Sequence, residues 1–172
     1  TATSTQNNRT LELGGKSPAV IDPEYPIEKA VERIMFVKQF NAGQICTNVD
    51  YLFVHESKLQ AFIQAAAAWV QEHVPDIHSK DYTSVIDERA FQRLVHSLAD
   101  AEAKGASLIN LNQQEPDAAT RKFPLTLVLN SNDEMEIDTR ETFGPILMVK
   151  TYQKPEDVVD YIVQRDRPLA FY

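Results

Sequence analysis

The stretch from Pro18 to Val54, PAVIDPEYPIEKAVERIMFVKQFNAGQICTNVDYLFV, decides the fold. Pro18 to Asp22 reads as a short buried strand, and the Asp22-Pro23 pair gives it a defined stop in a turn. Ile27, Val31, Ile34, Met35 and Lys38 then recur at helical spacing. The apolar members form one stripe, which predicts a helix over 27–40. Asn41-Ala42-Gly43 ends it, with Gly43 suited to a left-handed cap. Tyr51 to Val54 is the next strand. Strand, helix and strand in this order make a βαβ unit, and Cys46 falls in the connection between the helix and the second strand.

The alternation continues along the chain. Ser57 is the expected N-cap of a helix over 57–73 whose stripe is Leu59, Phe62, Ile63, Ala66 and Val70. Residues 75–84 are loop-like. Asp87 is expected to cap a helix over 87–104 with Phe91, Leu94, Val95 and Leu98 on one face, stopped by Gly105. Leu108 to Leu111 is a strand candidate, 112–122 a polar loop, and Leu125 to Leu129 and Ile146 to Lys150 are β-rich runs. Pro155 suits the first turn of a helix over 155–165 that carries Val158, Val159 and Ile162. Leu169 to Tyr172 reads as strand. The class is therefore α/β, a mainly parallel sheet flanked by helices. In such sheets, sites are expected outside the C-terminal ends of the strands. No dinucleotide fingerprint is present, because Gly14-Gly15 lacks a further glycine at the required offset.

Composition narrows the function. The 172 residues contain 43% apolar side chains, enough to bury a core at this length. A net charge of −8 and the lack of any basic stripe argue against nucleic acid as a partner. No apolar run approaches the length of a membrane span. One cysteine permits no internal disulfide, and without a secretion signal it points to a reducing, cytoplasmic setting. Residues 1–10 are polar and read as a loose arm, with one domain from 11 to 172. The start at Thr1, without Met, and the apolar end at Tyr172 give the expectation that both ends are cuts within a longer protein.

Few side chains are candidates for chemistry. Cys46 follows a glycine-punctuated break and has polar neighbours, a setting that substrate can reach; most free cysteines, in contrast, are small core residues. Glu12, between two leucines and before Gly14-Gly15, is either an edge carboxylate facing water or a general base beside a diglycine turn. His55, His73, His78 and His96 show no metal spacing and read as surface or capping residues, and no metal site is expected. A Cys–His hydrolase has no local signature here. Glu141-Thr142-Phe143-Gly144-Pro145 is either a turn into a strand or a carboxylate placed to accept sugar hydroxyls beside an aromatic wall.

Taken together these pieces resemble the aldehyde dehydrogenase superfamily, from about Leu11 to Tyr172. LELGGKSP (Leu11 to Pro18) is similar to its glutamate motif, FNAGQIC (Phe40 to Cys46) to its cysteine motif, and ETFGP (Glu141 to Pro145) to its cofactor-ribose motif. Glu12 precedes Cys46 by 34 residues, a separation that also agrees with the family. SVIDERAFQRL (Ser84 to Leu94) and RPLAFY (Arg167 to Tyr172) look most like the branch acting on coniferyl and other aryl or medium-chain aldehydes.

The resemblance implies roles. Cys46 thiolate attacks the aldehyde carbon, hydride passes from the thiohemiacetal to NAD or NADP, and Glu12 activates the water that hydrolyses the acyl-thioester. The Cys46 N–H is one oxyanion donor. Glu141 and Phe143 hold the nicotinamide ribose. The family's nucleotide-binding half and its last elements, which help form subunit contacts, have no counterpart here. The chain alone is thus expected to bind either cofactor weakly and to leave aldehydes unoxidised, its longer parent being a homo-oligomer with a small-molecule aldehyde as substrate. A reading from another class is a non-catalytic binding or redox-sensing domain with one exposed thiol.

Overall fold

The structure, a computed structural model, describes residues 14–172. The arm read over 1–10 and the Glu12 candidate lie outside the described residues. Strand β1 (Ser17–Ile21) leads into α1 (Ile27–Gln39), and a 3₁₀ turn over Phe40–Gly43 brings the chain round to β2 (Val49–His55). Helices α2 (Leu59–His73) and α3 (Glu88–Ala103) follow, then β3 (Ser107–Asn110) and β4 (Thr126–Leu129). A four-residue helix α4 (Glu136–Thr139), strand β5 (Ile146–Tyr152) and α5 (Pro155–Val163) complete it.

The five strands form one sheet in the order β1-β2-β5-β4-β3. All neighbours are parallel except β3 with β4. The predicted α/β class and mainly parallel sheet are thus what is seen. The parallel centre is buried on both faces, as crossover helices on both sides require. In β2, Leu52 and Val54 face α1 and α2, while Tyr51 and Phe53 face α3 and α5; in β5, Leu147 and Val149 divide from Ile146 and Met148 in the same way. This is why both strands read as continuous apolar runs and not as alternating ones.

Local signals explain most boundaries. Asp22 caps its own turn, accepting from Glu24 N at 2.8 Å. Asp87 accepts from Ala90 N at 2.7 Å and starts α3, and Gly105 leaves α3 at φ +95. Four expectations need correction. Ser57 is not the cap of α2; the His55 side chain accepts from Ser57 N and a short 3₁₀ turn precedes Leu59. Val95 and Val159 are exposed, because the faces that pack inward carry Phe91, Leu94, Ser97 and Ala101 on α3 and Val158 on α5. Leu169 to Tyr172 is not a strand, although Tyr172 exchanges two backbone hydrogen bonds with β1, at Pro18 O (3.1 Å) and Val20 N (2.9 Å). Helix α4 was not anticipated.

The break after α1 is sharper than a single glycine cap. Asn41, Ala42 and Gly43 are all left-handed, at φ 52, 53 and 70. A Cβ on Gly43 would lie 2.2 Å from the Gly144 carbonyl oxygen. Strain and collision act together at this position, so Gly43→Ala is expected to cost at least about 2 kcal/mol. Urea unfolding would measure it, and a loss under about 0.5 kcal/mol, the level of an inconsequential surface change, would mean that the two loops separate freely.

Candidate functional site

The segments singled out in the sequence meet at the N-terminal ends of the parallel strands. Gly14 to Lys16 precedes β1, Cys46 precedes β2, and Glu141 to Pro145 precedes β5. This corrects the expectation that a site would lie at the C-terminal ends. The reason is connection length. Strands β2 and β5 pass into helices within a few residues, whereas irregular segments of several residues lead into β2 and β5. Side chains free of regular structure therefore collect on that side.

Asp50 holds the segments together. It is the second residue of β2 and is 2% exposed. Its carboxylate accepts from the Lys16 ammonium, from Thr142 N at 2.8 Å and from the Thr142 hydroxyl. Lys16 also donates to the carbonyls of Ile137 (2.7 Å) and Arg140 (3.0 Å). A buried carboxylate without such partners would cost several kcal/mol, so this set is a condition of the fold. From the other side, Arg93 of α3 donates to the Thr142 carbonyl at 2.7 Å.

Glu141 sits where the diglycine permits it. Gly15 N donates to its Oε2 at 3.1 Å, and a Cβ on Gly14 would come within 2.2 Å of the same oxygen. Gly14 thus serves the close approach of this carboxylate, while a Cβ on Gly15 would meet the backbone at Pro168 and Leu169 instead. Burial, with Asp50 nearby, raises the Glu141 carboxyl above its ordinary range, opposed by the Gly15 N–H and by Lys16 and Lys38. Glu141, Gly14, Gly15, Lys16 and Arg165 line a cleft of about 500 Å³. Phe143, left-handed at φ 42, is 40% exposed.

Cys46 is exposed, in a turn closed by Asn48 N donating to Ile45 O at 3.0 Å. Its own N–H has no acceptor among the described residues. Gln44 fixes the loop to the segment before α3, donating to Ser84 O at 3.2 Å and accepting from Ile86 N at 2.8 Å. Phe36 and Phe40, both exposed, stack at 6.2 Å on the approach to this loop. The histidines are engaged elsewhere: His55 with Ser57, His73 with Trp69, His78 with Asp117 and His96 with Glu136. Among the described residues no group of three or more His, Cys, Asp or Glu could hold a metal ion, and no helix is long and apolar enough to cross a membrane.

Sequence reasoning singled out Cys46, Glu141 and Phe143 but missed Lys16, Asp50, Arg93 and Lys38. A signal existed for two of them. Asp50 is a charge beside the apolar run Tyr51 to Val54, and Lys38 continues the inward stripe of α1. Arg93 and Lys16 have no comparable mark, because the carbonyls that both bind, and the Asp50 carboxylate that Lys16 also binds, are distant in sequence.

A sequence profile of the aldehyde dehydrogenase family matches residues 1–166. The chain belongs to the aldehyde dehydrogenase family. It is 41% identical over 167 residues to coniferyl aldehyde dehydrogenase of a Pseudomonas species, covering 95% of this chain and 35% of that protein. A substrate-bound structure of Staphylococcus aureus AldH superposes with a TM-score of 0.85 at 33% identity, covering 94% of this chain and 34% of that one. Betaine aldehyde dehydrogenase of Staphylococcus aureus in complex with NAD+ superposes at 0.73 and 25% identity, covering 87% and 31%. The chain thus spans about a third of the length of the curated relatives it matches.

Lys38 gives the site a measurable pH signature. Burial lowers its ammonium pKa to about 8; Asp50 opposes this, Lys16 adds to it and Glu141 opposes it. An unfolded lysine keeps its proton to about pH 10.4. Between these values the unfolded chain binds more protons, so the Lys38 contribution to stability rises with pH, and below about pH 8 the cost of the buried charge is present in full. The difference in unfolding free energy between wild type and Lys38→Met should therefore move in favour of wild type across this window, by at most about 1.4 kcal/mol per pH unit. Denaturant titrations at several pH values check it, and a difference that is flat or falls with pH contradicts the shift.

Proposed function

We propose that this chain carries the thiol side of an aldehyde dehydrogenase active site that oxidises an aldehyde to a carboxylic acid with NAD or NADP. The observation that carries the reading is the seating of Gly43 against Gly144 and of Glu141 on Gly14-Gly15, which gathers the cysteine and ribose motifs and the diglycine at one end of the sheet. The substrate class we infer is aryl aldehydes of the coniferyl kind. Similarity to the Pseudomonas enzyme supports this, as does the exposed, stacked pair Phe36 and Phe40, which precedes Cys46 in the chain.

In this reading the Cys46 thiolate adds to the aldehyde carbon, forming the S–C bond, and the carbonyl oxygen takes the electron pair beside the Cys46 N–H. NAD(P)+, when bound, would supply the two-electron oxidation, as acceptor of the aldehyde hydrogen and its electron pair, that converts the thiohemiacetal on Cys46 to a thioester. Glu12 then takes a proton from water, hydroxide adds to the thioester, and the Cys46 thiolate departs. The Glu141 carboxylate, held at one oxygen by Gly15 N, accepts from ribose hydroxyls, and the Phe143 ring packs beside them. Residues 11–172 act as the thiol-bearing domain; by themselves they bind either cofactor weakly, with the adenine and pyrophosphate contacts made elsewhere in a larger, oligomeric protein.

Cys46→Ala in the full-length protein should lower aldehyde oxidation by several orders of magnitude while cofactor binding survives, as loss of a covalent nucleophile demands. Retention of more than about a tenth of wild-type kcat would exclude Cys46 as nucleophile and favour a binding or redox-sensing domain. Glu12→Gln should slow deacylation more than acylation, giving a product burst and an acyl adduct on Cys46 visible by mass spectrometry. Slowed acylation with no trapped adduct would assign Glu12 another role.

A further inference from the structure

We propose that Lys38 is a positioning residue for Cys46, tying together the two ends of the segment that carries the thiol. Lys38 lies on the last turn of α1 and is 1% exposed. Its Nζ donates to the carbonyl of Val49, the first residue of β2, at 2.8 Å. The bond closes the connection from α1 to β2, with Cys46 on its exposed turn.

Helix packing does not account for the residue. Ala30, Val31, Ile34 and Met35 of α1 face the sheet, and an apolar side chain at 38 would continue that stripe without the cost of burying an ammonium. What the position does require is restraint. Three successive left-handed residues, two of them not glycine, persist only where the surroundings over-determine them. Within the segment, Asn48 Nδ2 donates to Gly43 O at 2.9 Å and Gln44 anchors it to Ser84 and Ile86. Among the described residues, Lys38 alone donates a side-chain hydrogen bond from the helix end to the strand start. Asp50, the next residue of β2, offsets the ammonium charge and is itself bound to Thr142. The thiol loop and the Glu141–Phe143 loop are thereby referred to the same two residues of β2.

The catalytic arm of the test rests on the proposed function, while the exchange arm does not. Amide hydrogen exchange and single-turnover acylation would be measured on the full-length protein with Lys38→Met and with Lys38→Arg, the latter keeping a charged donor. In the Met variant, exchange over 41–48 should rise by about tenfold or more, with α2 and β5 unchanged. Acylation should fall by about tenfold with little change in KM, because the thiol is misplaced while substrate contacts remain. The Arg variant should recover both to within about threefold of wild type. Wild-type exchange over 41–48 in the Met variant would overturn the proposal. If the Met variant does not fold, the Arg variant decides: near-wild-type exchange upholds the role, and a tenfold rise rejects it. A wild-type protein that turns over no aldehyde would refute the proposed function and leave the exchange result for Lys38 standing.

Discussion

The carboxylate of Asp50 is held under the sheet end by Lys16, by the backbone N–H of Thr142 and by its hydroxyl. These partners come from the segments that lead into β1 and β5, while Asp50 itself belongs to β2. Low dielectric makes such a network strong when satisfied and costly when any member is missing. The carboxylate therefore admits one relative placement of the three segments. The diglycine, the Cys46 loop and the Glu141–Phe143 loop take their positions from it.

Two close backbone approaches complete that placement. Gly14 leaves room for the Glu141 carboxylate, and Gly43 leaves room for the Gly144 carbonyl. In neither case does the glycine act on a ligand directly. Each lets one loop lie against another, so that a carboxylate and a thiol from distant parts of the chain share one end of the sheet. The surrounding cations adjust the chemistry: Lys16 and Lys38 oppose the rise that burial and Asp50 impose on Glu141. A buried lysine that loses its proton more readily than in water makes this balance sensitive to pH just above neutrality.

The sheet supplies rigidity. Strands β2 and β5 are covered on both faces, by α1 and α2 on one side and by α3 and α5 on the other. Loops mounted on such strands inherit fixed starting points, which suits the proposed reaction, whose parts must meet within fractions of an ångström. Family membership and the match to dehydrogenase structures agree with that architecture.

The amino-acid sequence by itself determined most of the element types and their approximate limits, because apolar periodicity, Asp87, Gly105 and Pro155 act locally. It also singled out Cys46, Glu141 and Phe143 through short motifs with distinctive residues. Only the tertiary structure decided at which strand ends the candidate residues lie, since that depends on which connections are long. It alone revealed that Asp50 unites the segments and that Lys38 spans the thiol loop, and it turned Val95 and Val159 outward. These outcomes rest on contacts between residues far apart in the chain, where the identity of one partner says nothing of the other until the fold brings them within hydrogen-bonding distance.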